Sequence, residues 1–401
     1  MKQGKKLWEY KSLSEAVNIL DSQRKPINNK ERAIRIEGKF LDDLFPYYGA
    51  TGQVGYIDNF LIDGEYVLLG EDGAPFLDTL AEKAYMINGK SWVNNHAHIL
   101  QSKTSNRFLC FYLNYFNYKN YVSGTTRLKL TQASMKQIPV PVPPLSEQER
   151  IVARIEELFS ELDKAVETLK TIKQQFAVYR QAVLKEAFDI ALKYTENLMA
   201  IEEFLATDRK GMSTGPFGTM IKKQEHKQEG VPMLGIENIG KGKFVNGNKI
   251  FVTKEKAKEL KSFMLKSGDV IISRSGTVGE ICAVPAYMEG ALLSTNLMRV
   301  SLNPQKVLSE YFIYMFQSKG VVLDQVKELC KGSTRIFLNQ TILKQIKFPI
   351  PSIAKQKEII SEIETKMSTC DSIEKTVDTA LQQAEVMRRS ILKQAFEGKM
   401  I

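Results

Sequence analysis

The chain has 401 residues, of which 43% are hydrophobic and 25% are charged, and its formal net charge at pH 7 is +10. This composition excludes a disordered chain, and no apolar run approaches the ~18 residues that a membrane span needs. The first residues contain no apolar signal-peptide core, and the four cysteines lack the spacing of metal ligands. The sequence therefore predicts a soluble, cytoplasmic protein with two or three domains.

The positive charge is concentrated in two segments of the chain. Residues 1–143 contain 18 basic and 14 acidic side chains, and residues 196–351 contain 22 and 15. The segments 144–195 and 352–401 are nearly neutral. A basic excess indicates a polyanionic partner, most often nucleic acid, although a basic surface also serves solubility alone. Two basic segments separated by neutral ones favour nucleic acid.

Residues 1–143 show the patterns of short strands and tight turns. Residues 66–69 are predicted to form a buried strand that ends in a glycine-rich turn, and residues 94–100 alternate like a second strand. Residues 107–121 form an aromatic amphipathic stretch, which predicts a helix. This segment is therefore predicted to be a mixed α and β domain.

A proline-rich segment at 138–144 leads into a long helix predicted at 145–193. Ser146 and Glu149 predict a capping box at its start. Apolar residues recur at steps of four and three, which is the heptad pattern of a coiled coil. The seam residues predicted for this helix are Ile151, Ile155, Leu158, Leu162, Ala165, Leu169, Ile172, Phe176, Tyr179 and Val183.

The end of the first domain and its helix occur twice in the chain. A shift of 208 positions aligns residues 124–188 with residues 332–396 without a gap, and 26 of the 65 aligned pairs are identical. Two copies indicate a two-fold arrangement. Because a single rod cannot bury such a seam, the two helices are predicted to pack on each other, with two independent core helices as the alternative. The second seam, which Lys366 interrupts, consists of Ile359, Ile363, Cys370, Ile373, Val377, Ala380, Ala384, Met387 and Ile391.

Residues 196–351 repeat the order of the first domain with little sequence identity. Residues 268–276 parallel its first strand and turn, residues 296–300 its second strand, and residues 310–322 its aromatic helix. Two similar domains with divergent surfaces on similar supports are what two separate recognition tasks need.

The chain contains no convincing catalytic motif. Residues 235–242 nearly match a phosphate-binding P-loop, but glycine follows the lysine where Ser or Thr would bind magnesium, so a glycine-rich turn is the preferred interpretation. His96 and His98 fall on one face of the second predicted strand and are candidate metal ligands. Without a third ligand nearby, satisfied polar or DNA-facing histidines are preferred.

Arg127 and Arg335 are the strongest pair of polar candidates because they are repeated, each at the end of a short Gly-Thr/Ser-Thr loop. Exposed loop arginines beside a basic domain suit phosphate contacts, and a loop that fixes each domain to its helix explains them equally well. The candidate DNA-contacting residues are Tyr47, Tyr48, Gln53, Asn94, His96, Thr126, Arg127, Lys222, Lys223, Arg274, Ser275, Arg299, Thr334 and Arg335.

The lead-in segments at 137–148 (QIPVPVPPLSEQ) and 345–356 (QIKFPIPSIAKQ), with the helix ends at 184–188 and 392–398, form a duplicated framework. With this framework the chain resembles the specificity subunits of type I restriction–modification systems over its whole length. The second lead-in departs from the pattern where Lys347 and Ser352 replace prolines. Further stretches that resemble target-recognition domains of this family are 47–55, 70–74, 94–98 and 215–218.

The resemblance implies an α+β fold with two globular target-recognition domains. The domains are separated by two long helices that pack as an antiparallel coiled coil, with a pseudo-two-fold internal repeat. The expected segments are target-recognition domain 1 at 1–143, helical spacer 1 at 144–195, target-recognition domain 2 at 196–351 and helical spacer 2 at 352–401.

The resemblance also implies a non-catalytic subunit in which each domain reads one half of a bipartite site in the major groove of double-stranded DNA. The coiled coil is expected to set the half-site spacing and to dock DNA adenine methyltransferase subunits, two in number. S-adenosylmethionine, ATP and magnesium are expected on the methyltransferase and restriction/translocase partners, and no cofactor or metal is expected on this chain. The alternative is a coiled-coil scaffold that joins protein partners without DNA specificity.

Overall fold

The computed structural model describes residues 8–217, 220–240, 242–274, 279–329 and 338–400. It divides into two compact units: unit 1 combines residues 1–171 with 377–401, and unit 2 comprises residues 172–376. Each unit thus joins one globular domain to part of each long helix. The four segments expected from the sequence were consecutive along the chain and did not group it in this way.

The globular part of unit 1 contains nine strands and four α-helices within the described residues, followed by the first long helix, α5. The strands are β1 Tyr10–Ser12, β2 Val17–Ile19, β3 Phe45–Gly49, β4 Gly52–Ile57, β5 Tyr66–Gly70, β6 Ala84–Ile87, β7 Trp92–Val93, β8 Ala97–Ser102 and β9 Pro139–Pro141. The helices are α1 Leu13–Ala16, α2 Asn29–Ile36, α3 Asn106–Tyr115, α4 Gln132–Lys136 and α5 Leu145–Lys193.

The centre of unit 1 is a four-stranded sheet in the order β2-β8-β5-β6, beside a three-stranded sheet in the order β4-β3-β7. Strand β5 is apolar along its whole length because both of its faces are covered. Val67 and Leu69 contribute to the core that also contains residues of α3, and Leu68 contributes to a second cluster with Val93 of β7. The predicted strand at 66–69 is therefore confirmed, whereas the second predicted strand begins only at Ala97.

The globular part of unit 2 follows the same plan, with the second long helix, α10, at its end. Its strands are β10 Met199–Ala200, β11 Met212–Thr214, β12 Val231–Leu234, β13 Ile239–Gly240, β14 Lys243–Phe244, β15 Ile250–Val252, β16 Val270–Ser273, β17 Ile281–Ala283, β18 Leu292–Leu293, β19 Leu297–Val300 and β20 Lys347–Phe348. Its helices are α6 Lys254–Glu259, α7 Ser309–Gln317, α8 Asp324–Leu329, α9 Gln340–Gln345 and α10 Ile353–Phe396.

The main sheet of unit 2 has the strand order β11-β19-β16-β17, and a three-stranded sheet has the order β15-β12-β18. In β16, as in β5, alternate residues enter different clusters: Val270 and Ile272 join the core with α7, and Ile271 joins a second cluster. Both units thus pack an aromatic helix, α3 or α7, against one face of the main sheet.

Each long helix is attached to its own globular domain by a buried glutamine in its first turn. The side-chain amide of Gln148 donates to the carbonyl of Pro143 at 2.8 Å, and Gln356 makes the same bond to Pro351. Since α5 begins at Leu145, Ser146 lies inside the first turn, and the predicted capping box is wrong. The glutamines instead fix the proline-rich segments to the helices.

Within each unit the two long helices run antiparallel, as expected. In unit 1 the start of α5 and the end of α10 share one core, with Ile151 and Phe396 both buried in it. In unit 2 the end of α5 and the start of α10 do the same, with Phe188 and Ile359. No helix in the described ranges is long and apolar enough to cross a membrane.

The predicted seam is buried only in part. Ile151, Ile155, Ile359, Ile363, Val377 and Ile391 are buried, and Leu158, Leu162, Leu169, Ile172 and Phe176 are half-buried. The prediction is wrong for Ile373 and Met387, which are 46% and 53% exposed. It is also wrong for Tyr179 and Ala165, which are exposed.

At these four positions the stripe is shifted by one residue. The next residue along the helix is the half-buried one: Val166 and Arg180 on α5, and Glu374 and Arg388 on α10. Charged side chains occupy three of these four places, so an apolar pattern could not identify them. The buried stripe is therefore partly ionic.

Candidate nucleic-acid interface

Three stretches of unit 1 meet at one end of its sheets: the β3–β4 hairpin, the turn after β5, and the turn before β8. The backbone N–H of Asn94 donates to the carbonyl of Tyr48 at 3.1 Å, and that of Glu71 donates to the carbonyl of His96 at 2.7 Å. The Tyr85 hydroxyl donates to the carbonyl of Gly49 at 2.5 Å. Stretches that are distant in the sequence thus form one surface.

The repeated loop at 124–127 is joined to the same turn. The N–H of Leu130 donates to the carbonyl of Glu71 at 2.7 Å, and Arg127 Nε lies 2.8 Å from Asp72 Oδ1. Gly73, with φ +79°, leaves room for this arginine, since a Cβ there would meet Arg127 Nε at 3.1 Å. The Arg127 side chain is nevertheless 61% exposed. The loop is therefore fixed to the domain and still presents its guanidinium to solvent.

A half-buried ionic network supports this turn. Arg24 Nη1 lies 2.5 Å from Glu71 Oε2, and Arg24 Nη2 lies 3.1 Å from Asp21 Oδ2. Burial by itself would raise the pKa of Asp21, but hydrogen bonds and the charge of His98 hold that pKa below its ordinary value. Because Arg24 pairs with both Asp21 and Glu71, the network holds the turn in place.

His96 and His98 do not form a metal site. His98 is fully buried, with Nδ1 2.6 Å from Asp21 Oδ2 and Nε2 3.0 Å from the carbonyl of Leu130. His96 lies in the turn before β8, half-buried, with Nδ1 3.7 Å from Asp72. Both nitrogens of His98 are thus engaged, and the described residues contain no cluster of three or more His, Cys, Asp or Glu suited to a metal.

Unit 2 repeats the backbone arrangement of this turn with the opposite charge. The N–H of Arg274 donates to the carbonyl of Asn296 at 2.9 Å, and the N–H of Leu338 donates to the carbonyl of Arg274 at 3.3 Å. These bonds match those that Glu71 makes in unit 1, since Leu338 is the repeat equivalent of Leu130. Arg274 therefore occupies the place of Glu71.

The Arg274 side chain is half-buried, and burial lowers its pKa. Its Nε donates to the carbonyl of Leu338 at 3.4 Å and its Nη1 to that of Thr295 at 3.3 Å. The Thr295 hydroxyl in turn donates to the carbonyl of Pro216 at 2.7 Å, beside the exposed ring of Phe217. The turn of unit 2 thus combines a cation with an exposed aromatic side chain.

Three candidates for DNA contact are buried in this structure, and that prediction is wrong for them. Arg299 is 2% exposed and donates to the carbonyls of Ser262, Met264 and Lys210. Tyr47 is buried in β3, where the Arg32 guanidinium covers its ring, and buried Asn94 accepts a bond from the N–H of His96. The Tyr47 hydroxyl donates to the carbonyl of Ile27 at 3.3 Å, so the polar atoms of all three residues bond within their own domain.

The remaining candidates lie at or near the surface. Gln53, Thr126, Arg127, Lys222 and Lys223 are exposed, and Tyr48, His96 and Arg274 are half-buried. Ser275, Thr334 and Arg335 lie outside the described residues. Two exposed residues near these turns are not among the candidates: Phe217, in the stretch at 215–218, and Lys129, two residues beyond Arg127.

Replacement of Arg299 by methionine is expected to destabilise the protein by about 3 kcal/mol, because buried carbonyl groups lose their donors. Urea unfolding of the full chain would measure the difference. Lys222→Met, at an exposed position, serves as the control and is expected to change stability by less than about 0.5 kcal/mol. Equal stability of the two variants would assign Arg299 no structural role.

Residues 5–175 and 217–383 match the family described as the type I restriction modification DNA specificity domain. The chain is 28% identical over 384 residues to S.HindORF215P of Haemophilus influenzae, named as a type I restriction enzyme specificity subunit, covering 94% of this chain and 92% of that one. It is 23% identical over 423 residues to the EcoBI specificity subunit of Escherichia coli, covering 98% and 86%.

Solved structures share the fold. A chain from a study of complex assembly and conformational transition of the type I R-M system superposes with a TM-score of 0.68 at 15% identity, covering 98% of both chains. The HsdS subunit of Thermoanaerobacter tengcongensis gives a TM-score of 0.53 at 14% identity, covering 98% of this chain and 97% of that one. With its two matched segments and its duplicated framework, the chain belongs to the family of type I restriction–modification DNA specificity subunits.

Proposed function

We propose that each unit reads one half of a bipartite DNA site. The observation that carries the proposal is the shared turn, in which equivalent backbone bonds hold Glu71 and His96 in unit 1 but Arg274 and Asn296 in unit 2. A common frame with different side chains suits two readers of different base sequences. Polar and aromatic side chains around these turns would contact base edges in the major groove.

The exposed cations of both domains would contact phosphates, which position a protein on DNA without reading its sequence. The distance between the half-sites would depend on the long helices, as half-site spacing depends on the separation of the readers in dimeric DNA-binding proteins. We propose no catalytic role and no bound cofactor for this chain.

In this account S-adenosylmethionine serves an adenine methyltransferase partner, and ATP and magnesium serve a restriction partner. Two modification subunits would dock on the long helices, and the assembly would act on DNA in the cytoplasm. Support for two docking places comes from the pairs Val178-Tyr179 and Val386-Met387, which are repeat equivalents and are exposed in unit 2 and unit 1 respectively. Exposed apolar pairs on a helix are typical of protein contact surfaces.

Arg127→Ala is expected to weaken binding about fivefold for specific and unrelated duplexes alike, because a phosphate contact carries no sequence information. The slope of log affinity against log salt should fall by about 1. Fluorescence anisotropy with both duplexes at several salt concentrations, on the complex with its modification subunits, measures both quantities.

Arg107→Ala is the matched control. This exposed arginine pairs with Glu156 of α5 at 2.9 Å, and its loss removes the same charge from a different surface. If Arg127→Ala binds DNA with unchanged affinity, the loop has a purely structural role. Binding by the parent protein that is indifferent to salt would support a protein scaffold over a DNA reader.

A further inference from the structure

Phe217 is a large aromatic side chain that unit 2 exposes beside its turn. It lies shortly after the end of β11, and 64% of it is exposed. The Thr295 hydroxyl donates to the carbonyl of Pro216 at 2.7 Å, and Arg274 Nη1 donates to the carbonyl of Thr295 at 3.3 Å. The loop that carries Phe217 and the cation of the turn therefore meet at Thr295.

The backbone on both sides of Phe217 is held in place. Gly215 packs so closely on Ser294 that a Cβ at this position would overlap the Ser294 carbonyl, so only glycine fits. On the other side, the N–H of Met220 donates to the carbonyl of Phe217 at 2.8 Å. The exposure of the ring is therefore a property of the fold around it.

The strand registers give Phe217 an equivalent in unit 1. Counted on from the pairing of β2 with β8, Arg24 lies opposite Asn95. Counted on from the pairing of β11 with β19, Phe217 lies opposite Thr295. Asn95 and Thr295 each precede the residue whose carbonyl accepts the equivalent bond of the turn. Phe217 therefore takes the place of Arg24.

The exchange of charge at the turn explains this replacement. In unit 1 the Arg24 side chain points inward, with 15% of it exposed, and its Nη1 lies 2.5 Å from Glu71 Oε2. In unit 2 Arg274 stands in the place of Glu71, so a second arginine would bring two like charges together. Phenylalanine avoids this repulsion, and its ring lies at the surface.

The surroundings of the ring fit DNA. Arg274 lies in the same turn, and Lys222 and Lys223 follow at exposed positions, so the neighbouring charges are complementary to phosphates. In the major groove the apolar group on the base edges is the C5-methyl of thymine, and phenylalanine is one of the side chains that contact it. The geometry therefore suits a thymine beside phosphates.

We propose that Phe217 contacts the C5-methyl group of one thymine in the half-site that unit 2 reads. This inference rests on the proposed function, in which the turn of unit 2 faces the major groove. Phe217 is then a specificity-determining residue that requires a T·A pair at its position. Because Arg24 occupies the equivalent place in unit 1 and points inward, this contact also distinguishes the two readers.

The test measures, by fluorescence anisotropy, how the complex with its modification subunits binds duplexes that carry its own methylation motif. In a series of duplexes each thymine of the motif, on either strand, is replaced in turn by uracil, which lacks only the methyl group. The parent is compared with Phe217→Ala. Tyr287→Ala is the matched control, because Tyr287 is an exposed aromatic residue of the same unit.

One replacement by uracil is expected to weaken binding by the parent about fourfold, the loss that corresponds to one buried methyl group. Phe217→Ala should bind the thymine and uracil duplexes of that position equally well, whereas Tyr287→Ala should keep the difference seen in the parent. A duplex with 5-bromouracil, whose bromine is close in size to a methyl group, should restore binding by the parent.

A parent complex that tolerates uracil at every thymine of its motif would overturn the inference. So would a preference for thymine that is as large in Phe217→Ala as in the parent at every position, because another residue would then contact the methyl group. A parent complex that binds its motif no better than an unrelated duplex would instead overturn the proposed function, so the two failures are distinguishable.

Discussion

A seven-residue insertion in each long helix is expected to lengthen the gap between the two half-sites by about 3 bp and to leave both half-sites unchanged. One heptad adds about 10.5 Å of helix, and a base pair occupies about 3.4 Å of duplex. Insertion after Thr168 in α5 and after Thr376 in α10 places the added residues in the middle of each long helix. Sequencing of the methylated motif reads the gap directly.

The control for this experiment is an insertion of two residues at the same two points. Two residues rotate the rest of each helix by about 200°, so the buried stripe would change faces and methylation should be lost. A heptad variant that methylates with the parental gap would show that the helices do not determine the spacing.

Tyr179→Lys combined with Met387→Lys is expected to abolish assembly with the modification subunits. Both side chains belong to the exposed pairs on the long helices. A central apolar anchor in an interface contributes about 2–4 kcal/mol, so each docking place of the double variant should bind its subunit about 30- to 700-fold more weakly. Each single variant should retain one modification subunit, which native mass spectrometry would reveal as a loss of half the bound partner.

Tyr287→Lys is the matched control, because Tyr287 is 66% exposed on the globular domain of unit 2 and not on a long helix. Full assembly of this variant shows that a surface lysine alone does not prevent binding. If the Tyr179 and Met387 variant assembles fully, the modification subunits dock on another surface of the chain.

The repeat, the two long helices and the central strands could be predicted from the sequence because their signals are local. A heptad pattern needs only the spacing of residues such as Ile151 and Ile155, and the strand at 66–69 needs only a short apolar run between turns. The predicted ends of the elements were less accurate. The aromatic helix was predicted to reach residue 121 but stops at Tyr115. The residues beyond it turn away because their rings pack on each other, Phe116 against Tyr118.

The shift within the seam could not be predicted, because hydrophobicity cannot identify a charged residue that faces a partner helix. Arg388 reads as a surface residue until Asp163 is placed beside it. The same holds for Arg299, whose partners are carbonyls of residues between 35 and 89 positions away. Contacts of this kind depend on the whole fold.

The sequence order predicted that residues 268–276 match the strand and turn that contain Glu71, but not which residues correspond. Glu71 and Arg274 have opposite charge and lie outside the aligned repeat, so the matching backbone bonds are what pair them. Where two domains keep the same backbone arrangement but differ in their side chains, comparison of their sequences cannot align them residue by residue.

The central claim is that this chain reads a bipartite DNA site for a methyltransferase. The most direct test is to express it with its modification partner and to map methyladenine by single-molecule sequencing, with and without this gene. The account predicts one bipartite motif with a fixed gap that disappears when the gene is deleted. A complex that assembles normally but leaves the methylation pattern the same with and without this chain would contradict the account and favour a scaffold.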